Sequence, residues 1–297
     1  MGQQPVGIVG VGNMGGAMAA RLIEAGWPVH VCDIDLHRVR VLQERGAQVH
    51  HTPAQCAAAV GALIICVVDS AQVETVLFGP AGAATTLQPG QDVLLCPTIA
   101  PEDTERFAAR LLESGVATLD APMSGGPQRA RDGSMSLMLA GADAAVERRR
   151  ELVAALSGKV FRISARPGDG ARTKLVNNLL AGINLVGAAE AIALAERLGL
   201  DPGATLDLIE QSSGQSWIGS DRMRRAIAAD FEPRAHMTLL EKDTRLALQC
   251  AVSAGFAGPL GAAAHAVFAR ACEAGLAGRD DGALLQLLRQ DRPGTAG

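Results

Sequence analysis

Six residues near the start of the chain, Gly10-Val11-Gly12-Asn13-Met14-Gly15, have the types and spacing to hold a pyrophosphate. Gly10 permits a tight turn, Gly12 lets the backbone approach phosphate, and Gly15 lets the next helix pack closely on the preceding strand. Asn13 and Met14 fill the intervening positions, where backbone N–H groups and the positive end of a helix face the ligand. About 20 residues on, Asp33 offers a carboxylate that can accept hydrogen bonds from ribose hydroxyls. Ile34 and Asp35 follow it where an arginine would mark a 2′-phosphate site, so the pattern predicts NAD in preference to NADP. Two other groups carry chemistry. Ser124-Gly125-Gly126 combines a hydroxyl with backbone N–H groups suited to a carboxylate. Lys174 and Asn178 stand four apart at the start of a long, mostly apolar helical stretch and therefore share one face.

The elements that must position these residues follow from hydrophobic periodicity. Short apolar runs at 6–9, 29–32, 63–67, 92–96, 118–120, 135–140 and 160–163 predict strands. Helical patterns separate them at 15–25, 36–44, 53–58, 72–77, 101–114 and 144–156. Strands alternating with helices predict an α/β Rossmann domain, a doubly wound parallel sheet, over residues 1–165. The glycine run then lies between the first strand and the first helix, as a dinucleotide loop requires. Beyond Pro167 no strand pattern is found. Helical stretches at 170–198, 202–212, 220–229, 237–254, 258–274 and 283–289 predict an all-helical domain over 166–297, joined to the first by a long interdomain helix.

Bulk properties exclude several classes. The chain has 297 residues, 3% aromatic, no tyrosine and a net charge of −4, which supplies neither a phosphate-tracking field nor a base-stacking surface, so nucleic acid is not an expected partner. The run Arg148-Arg149-Arg150 reads as a solvated helix face. Six cysteines without a C-x-x-C pair, among apolar neighbours, predict buried free thiols in a reducing, cytoplasmic setting. No metal site is expected, because His50 and His51 are adjacent and no carboxylate or cysteine stands at ligand spacing. The apolar stretch at 57–68 stops at Asp69, short of the roughly 18 residues that a membrane span needs, and no basic leader precedes an apolar run.

The chain resembles the β-hydroxyacid dehydrogenases, the 3-hydroxyisobutyrate dehydrogenase family, over nearly its whole length. The resemblance rests on the segment at 7–19 with its Met14-Gly15 closure, on Asp120-Ala121-Pro122-Met123-Ser124-Gly125-Gly126, on the segment at 168–178, and on Glu241-Lys242-Asp243. It implies that hydride passes from a small hydroxy-carboxylate to NAD. Ser124, Gly125 and Gly126 would hold the substrate carboxylate. Lys174 would be the general acid/base: a desolvated lysine beside an oxidised nicotinamide has its pKa lowered, and a neutral amine can take the hydroxyl proton. Asn178 would hold the lysine or the substrate hydroxyl. Thr98 would stand by the nicotinamide, although Pro97 replaces the family's serine. Val67 and Val68 fall where many members place Leu-Pro against the cofactor, and Lys242 resembles the family lysine that reaches it from the second domain. Trp217 and Phe231 fit either a substrate cavity or the core.

The loops at 67–70 and 230–235 resemble the L-threonate dehydrogenase branch, which places four-carbon sugar acids first, with 3-hydroxyisobutyrate and tartronate semialdehyde next. An imine reductase-like enzyme and a catalytically silent NAD-binding module share this fold, but Lys174 and Asn178 oppose both readings. The long apolar helix predicts a homodimer or homotetramer.

Overall fold

The structure, a computed structural model, describes residues 3–290. The chain divides into two compact units, Met1–Lys174 and Leu175–Gly297. The first unit holds nine strands: β1 (Val6–Val9), β2 (Val29–Cys32), β3 (Gln48–Val49), β4 (Ala62–Ile65), β5 (Asp92–Leu95), β6 (Ala117–Asp120), β7 (Met123–Ser124), β8 (Ser136–Ala140) and β9 (Lys159–Ser164). Their order is 3-2-1-4-5-6-8-7, with β9 paired to β8. Strands β1 to β6 are parallel, in the order of a Rossmann sheet. The all-parallel expectation fails beyond β6, because β8 runs antiparallel to both β6 and β7. Strands β3 and β7, at two residues each, are too short to show a period of two, and the sequence did not announce them.

Helices α1 (Asn13–Glu24), α2 (Leu36–Gln43), α3 (Pro53–Ala58), α4 (Ser70–Phe78), α5 (Pro101–Glu113), α6 (Gly126–Asp132), α7 (Asp143–Arg148) and α8 (Arg150–Leu156) cover the sheet. Strands buried on both sides send alternate side chains to opposite faces. Val6, Ile8, Ala62, Ile64 and Leu94 join Met18, Leu22, Leu152 and Leu156 in one core cluster. Val9, Leu63, Ile65, Val93 and Leu95 join Cys56, Leu77, Phe107 and Leu111 in the other. Each large side chain buried this way contributes roughly 1.5–3 kcal/mol.

The single helix expected over 144–156 breaks at Arg149, which takes φ −106° and ψ 13° between α7 and α8. The break corrects the solvated-face reading of the arginine run. Arg149 is 6% exposed, and its Nε donates to Asp92 Oδ2 at 2.5 Å, while Arg148 Nη2 donates to Oδ1 at 2.6 Å. Arg148 keeps 41% of its side chain exposed while it reaches Asp92, and Arg150, 71% exposed, pairs with Glu147 in solvent. The thiol expectation also needs adjustment: all six cysteines are free, but Cys66, Cys250 and Cys272 are only half-buried.

Helix α9 (Asp169–Arg197) begins in the first unit and continues into the second, where α10 (Pro202–Glu210), α11 (Trp217–Ile227), α12 (Met237–Ser253), α13 (Pro259–Ala271) and α14 (Leu284–Gln290) follow. By length and composition α9 could cross a membrane. Its packing identifies it instead as the core helix of a bundle: Leu185, Ala189 and Ile192 are fully buried against a cluster containing Met223, Met237, Phe268 and Leu284.

Candidate functional site

The glycine run occupies the turn from β1 into α1. Gly10 takes φ +91°, and a Cβ there would stand 2.5 Å from the Cys66 carbonyl oxygen. A Cβ on Gly15 would collide with the Gly10 carbonyl oxygen, so this helix and strand approach as closely as glycine allows. At Gly12 a Cβ would meet only the tip of Arg38, so the backbone is open toward a ligand. Gly12 caps α1 without a side chain, which leaves the first-turn N–H groups of Asn13 and Met14 uncapped by any side-chain acceptor.

Asp33, just past the end of β2, braces this turn. Its Oδ2 accepts from Val11 N at 2.6 Å and its Oδ1 from Asp35 N at 2.8 Å. A carboxylate has about four acceptor sites, so capacity for ribose hydroxyls is left. Asp35 caps α2 through His37 N at 3.0 Å and holds Arg38 Nε at 3.1 Å. Sequence reasoning found no arginine beside Asp33. Arg38, one turn into α2, folds its guanidinium back to within reach of Gly12, already paired with Asp35. A cradle in which Cβ atoms would clash, an uncapped helix start and a ribose-ready carboxylate together fit a nicotinamide dinucleotide.

The other predicted residues of the first unit follow the C-terminal ends of its strands, where open α/β sheets bind ligands. Val67 and Val68 come after β4, and Val68 N donates to Gln72 Oε1 at 3.0 Å. Thr98 comes after β5 and is half-buried. Ser124 ends β7, opposite Ser136, and two left-handed glycines follow it, Gly125 at φ +128° and Gly126 at φ +77°. A Cβ on Gly126 would meet nothing within 4 Å, whereas one on Gly125 would press on Arg129 at 2.8 Å.

Asp120 ends β6, is 2% exposed, and accepts from Gly168 N at 2.8 Å and Ala171 N at 3.0 Å. Burial pushes its carboxyl up to about 6, against the opposing pull of backbone N–H groups from Ala171, Gly168 and Gly170. Lys174 lies on α9 and is buried, at 7% exposure.

In the second unit α9 carries Asn178, also buried. Its Nδ2 donates to Asp243 Oδ2 at 2.5 Å, and its Oδ1 accepts from Asn177 Nδ2 at 3.0 Å. Lys242 Nζ donates to Asp243 Oδ1 at 2.7 Å. Asp243 is therefore the organiser of two predicted residues. The sequence marks it only as the last residue of the Glu241-Lys242-Asp243 signature and as a possible ion-pair partner of Lys242, and does not link it to Asn178. Hydrogen bonds to a buried carboxylate contribute about 1.5–3 kcal/mol each, enough to fix the Asn178 rotamer. Gly182 lets α12 approach, since a Cβ there would stand 2.8 Å from Thr244 Cγ2. Trp217 is 45% exposed in the first turn of α11, whereas Phe231 packs against the core of this unit.

Two family models match successive parts of the chain. Residues 5–164 match the NAD binding domain of 6-phosphogluconate dehydrogenase, and residues 168–288 match the NAD-binding domain of NADP-dependent 3-hydroxyisobutyrate dehydrogenase. The L-threonate dehydrogenase of Cupriavidus necator is 38% identical over 282 residues, 95% of each chain. The human mitochondrial 3-hydroxyisobutyrate dehydrogenase is 30% identical, covering 97% of this chain and 87% of its own length. The crystal structure of a 3-hydroxyisobutyrate dehydrogenase from Salmonella typhimurium superposes with a TM-score of 0.90 at 35% identity, covering 95% of this chain and 99% of that one. An imine reductase from Pseudomonas sp. shares the fold, with a TM-score of 0.63 at 20% identity over 96% of this chain and 99% of its own.

Proposed function

The chain belongs to the β-hydroxyacid dehydrogenase family and is a nicotinamide-dinucleotide-dependent oxidoreductase of small hydroxy-carboxylates, and from that premise we propose that its substrate is a four-carbon sugar acid such as L-threonate. The observation that carries the mechanism is a buried lysine, Lys174, with Asn178 one helical turn on and itself fixed by Asp243. The dinucleotide supplies the hydride acceptor when bound. Lys174 Nζ takes the proton of the substrate hydroxyl as the C–H bond gives up its hydride, and returns that proton in the reverse direction. Asn178 orients the hydroxyl or the amine. Ser124 and the backbone N–H groups of Gly125 and Gly126 hold the carboxylate and set which carbon faces the nicotinamide. Residues 1–165 bind the dinucleotide, with Gly10 to Gly15, Asp33, Val67, Val68 and Thr98 along it, and 166–297 form the helical substrate domain, which carries Asn178 and Lys242. Six free cysteines suit a reducing compartment such as the cytoplasm.

Support for L-threonate over 3-hydroxyisobutyrate is the identity of 38% to an L-threonate dehydrogenase, against 35% and 30% to the Salmonella and human 3-hydroxyisobutyrate dehydrogenases. Support for NAD over NADP is the pair Asp33 and Asp35, the latter already neutralising Arg38. A panel of the three acids, run with NAD and NADP in parallel, tests both. Tartronate semialdehyde is assayed in the reducing direction with NADH and NADPH. We expect L-threonate with NAD to give the highest kcat/KM, and NADP to be at least about tenfold poorer. A factor of ten corresponds to about 1.4 kcal/mol, within what one repelled phosphate costs. Equal turnover with NADP would overturn the cofactor assignment, and no turnover of any of the acids would overturn the substrate class.

The same reading extends to assembly as a homodimer or homotetramer. Along α9, Val176, Leu180 and Leu194 are each more than half exposed, and with Ile183, Gly187 and Ala191 they fall at steps of three and four, one apolar stripe on one helix face that Leu198, just past its end, continues. Light scattering is expected to give a mass of at least twice 30.6 kDa, falling toward the monomer in a Leu180→Glu, Leu194→Glu double variant. A monomeric parent protein would contradict this.

A further inference from the structure

One buried carboxylate joins the substrate loop to the helix that carries Lys174. Asp120 is the last residue of β6 and the first of the stretch leading through Ala121 and Pro122 to Ser124. Its Oδ2 takes hydrogen bonds from Gly168 N and Ala171 N. The local sequence is fitted to this approach. Gly168 takes φ +100°, and a Cβ on Gly170 would stand 2.9 Å from the Asp120 carboxylate and 3.0 Å from its carbonyl oxygen. Lys174 follows Ala171 by three residues, less than one helical turn. We propose that Asp120 is a positioning residue for the reaction: by holding the first turn of α9 against the root of the Ser124 loop, it sets Lys174 relative to the substrate carboxylate site. Its requirement is for a charged acceptor, because the hydrogen bonds from Gly168 N and Ala171 N both end on its Oδ2 and are strengthened by the carboxylate charge.

The turn has other ties: Ser164 Oγ donates to Asp169 Oδ2 at 2.7 Å, which fixes the start of α9 to the end of β9 and not to the root of the Ser124 loop. Arg172 reaches Glu105 at 2.7 Å and Asp169 at 3.0 Å, but the Arg172 and Glu105 side chains are 42% and 46% exposed. Exposed pairs of this sort hold a helix weakly.

The inference rests on Lys174 being the base, so the test includes both residues. Asp120→Asn, Gly170→Ala, Glu105→Gln and Lys174→Ala are compared with the parent enzyme using NAD and the fastest acid of the panel. Dinucleotide binding is followed by quenching of tryptophan fluorescence. Displacing a reacting group by about 1 Å costs on the order of 100-fold in rate. Asp120→Asn is therefore expected to lose about 100-fold in kcat, with the KM for the acid and the affinity for NAD changed less than about threefold. A residue that served only the stability of the fold would lower the melting temperature and leave kcat of the folded fraction intact. Gly170→Ala, which keeps the carboxylate but pushes the backbone from it, is expected to lose kcat in the same way and decides the matter if Asp120→Asn does not fold. Glu105→Gln is expected to keep kcat within about threefold. An unchanged kcat in Asp120→Asn or Gly170→Ala, or an equal loss in Glu105→Gln, overturns the proposal while an inactive Lys174→Ala leaves the mechanism standing. An active Lys174→Ala removes the mechanism itself, and this inference with it.

Discussion

Lys174→Ala is expected to lower kcat by about 10³-fold, while the affinity for NAD changes less than about threefold. Positioned general acid–base catalysis contributes on the order of 10²–10⁴ in rate. Lys174 should stand above the lower end of that range for two reasons. It is buried, so water is poorly placed to substitute as proton acceptor, and it sits on a helix whose first turn is tied to a buried carboxylate. The loss should be in kcat and kcat/KM together, because the proton moves only in the transition state. Small primary amines added to the alanine variant should restore part of the rate, by entering the space that the side chain leaves. An alanine variant with parental kcat would mean that another group moves the proton.

The second large effect concerns stability and separates three adjacent arginines that look alike in sequence. Asp92, fully buried at the start of β5, accepts from both Arg148 and Arg149. Arg149 further donates to Gln4 Oε1 at 2.8 Å and Gly61 O at 2.5 Å, so its charge is held between β5 and the start of the chain. Removing one partner of a buried ion pair leaves an uncompensated charge and costs about 3–5 kcal/mol. Asp92→Ala is expected to lose that much in urea unfolding of the first unit. Arg150→Ala, whose side chain is 71% exposed and paired to an equally exposed Glu147, should lose less than about 0.5 kcal/mol. Equal costs for the two variants would show that the buried cluster is not what holds α7 and α8 to the sheet.

Much of the first unit is legible from local patterns because its determinants are local. A strand buried on both sides needs a continuous apolar run, and the dinucleotide turn needs glycine where φ is positive or a Cβ has no room. Both requirements are written within ten residues, as at Val6 to Gly15. Short strands such as β7 leave no periodic signal, and the antiparallel course of β8 depends on pairing Ala140 with Asp120 and Ser136 with Ser124, which periodicity does not encode. The arginine run misled for a related reason: charge suggests solvent, and only Asp92, more than fifty residues away, makes burial acceptable.

The candidate site divides in the same way. The sequence by itself determined the dinucleotide loop, Asp33, the Ser124 turn and the Lys174 and Asn178 helix face, since each is a short segment whose backbone or side-chain chemistry is specified by its own residues. Only the tertiary structure decided what holds them. Asp120 against the start of α9, Asp243 between Asn178 and Lys242, Asp35 on Arg38 and Asp92 under the arginines are four carboxylates whose partners lie from one to sixty-five residues away. A carboxylate reads the same in solvent as in a core. What makes it structural is the convergence of donors on it after folding, and that convergence is a property of packing, not of spacing along the chain.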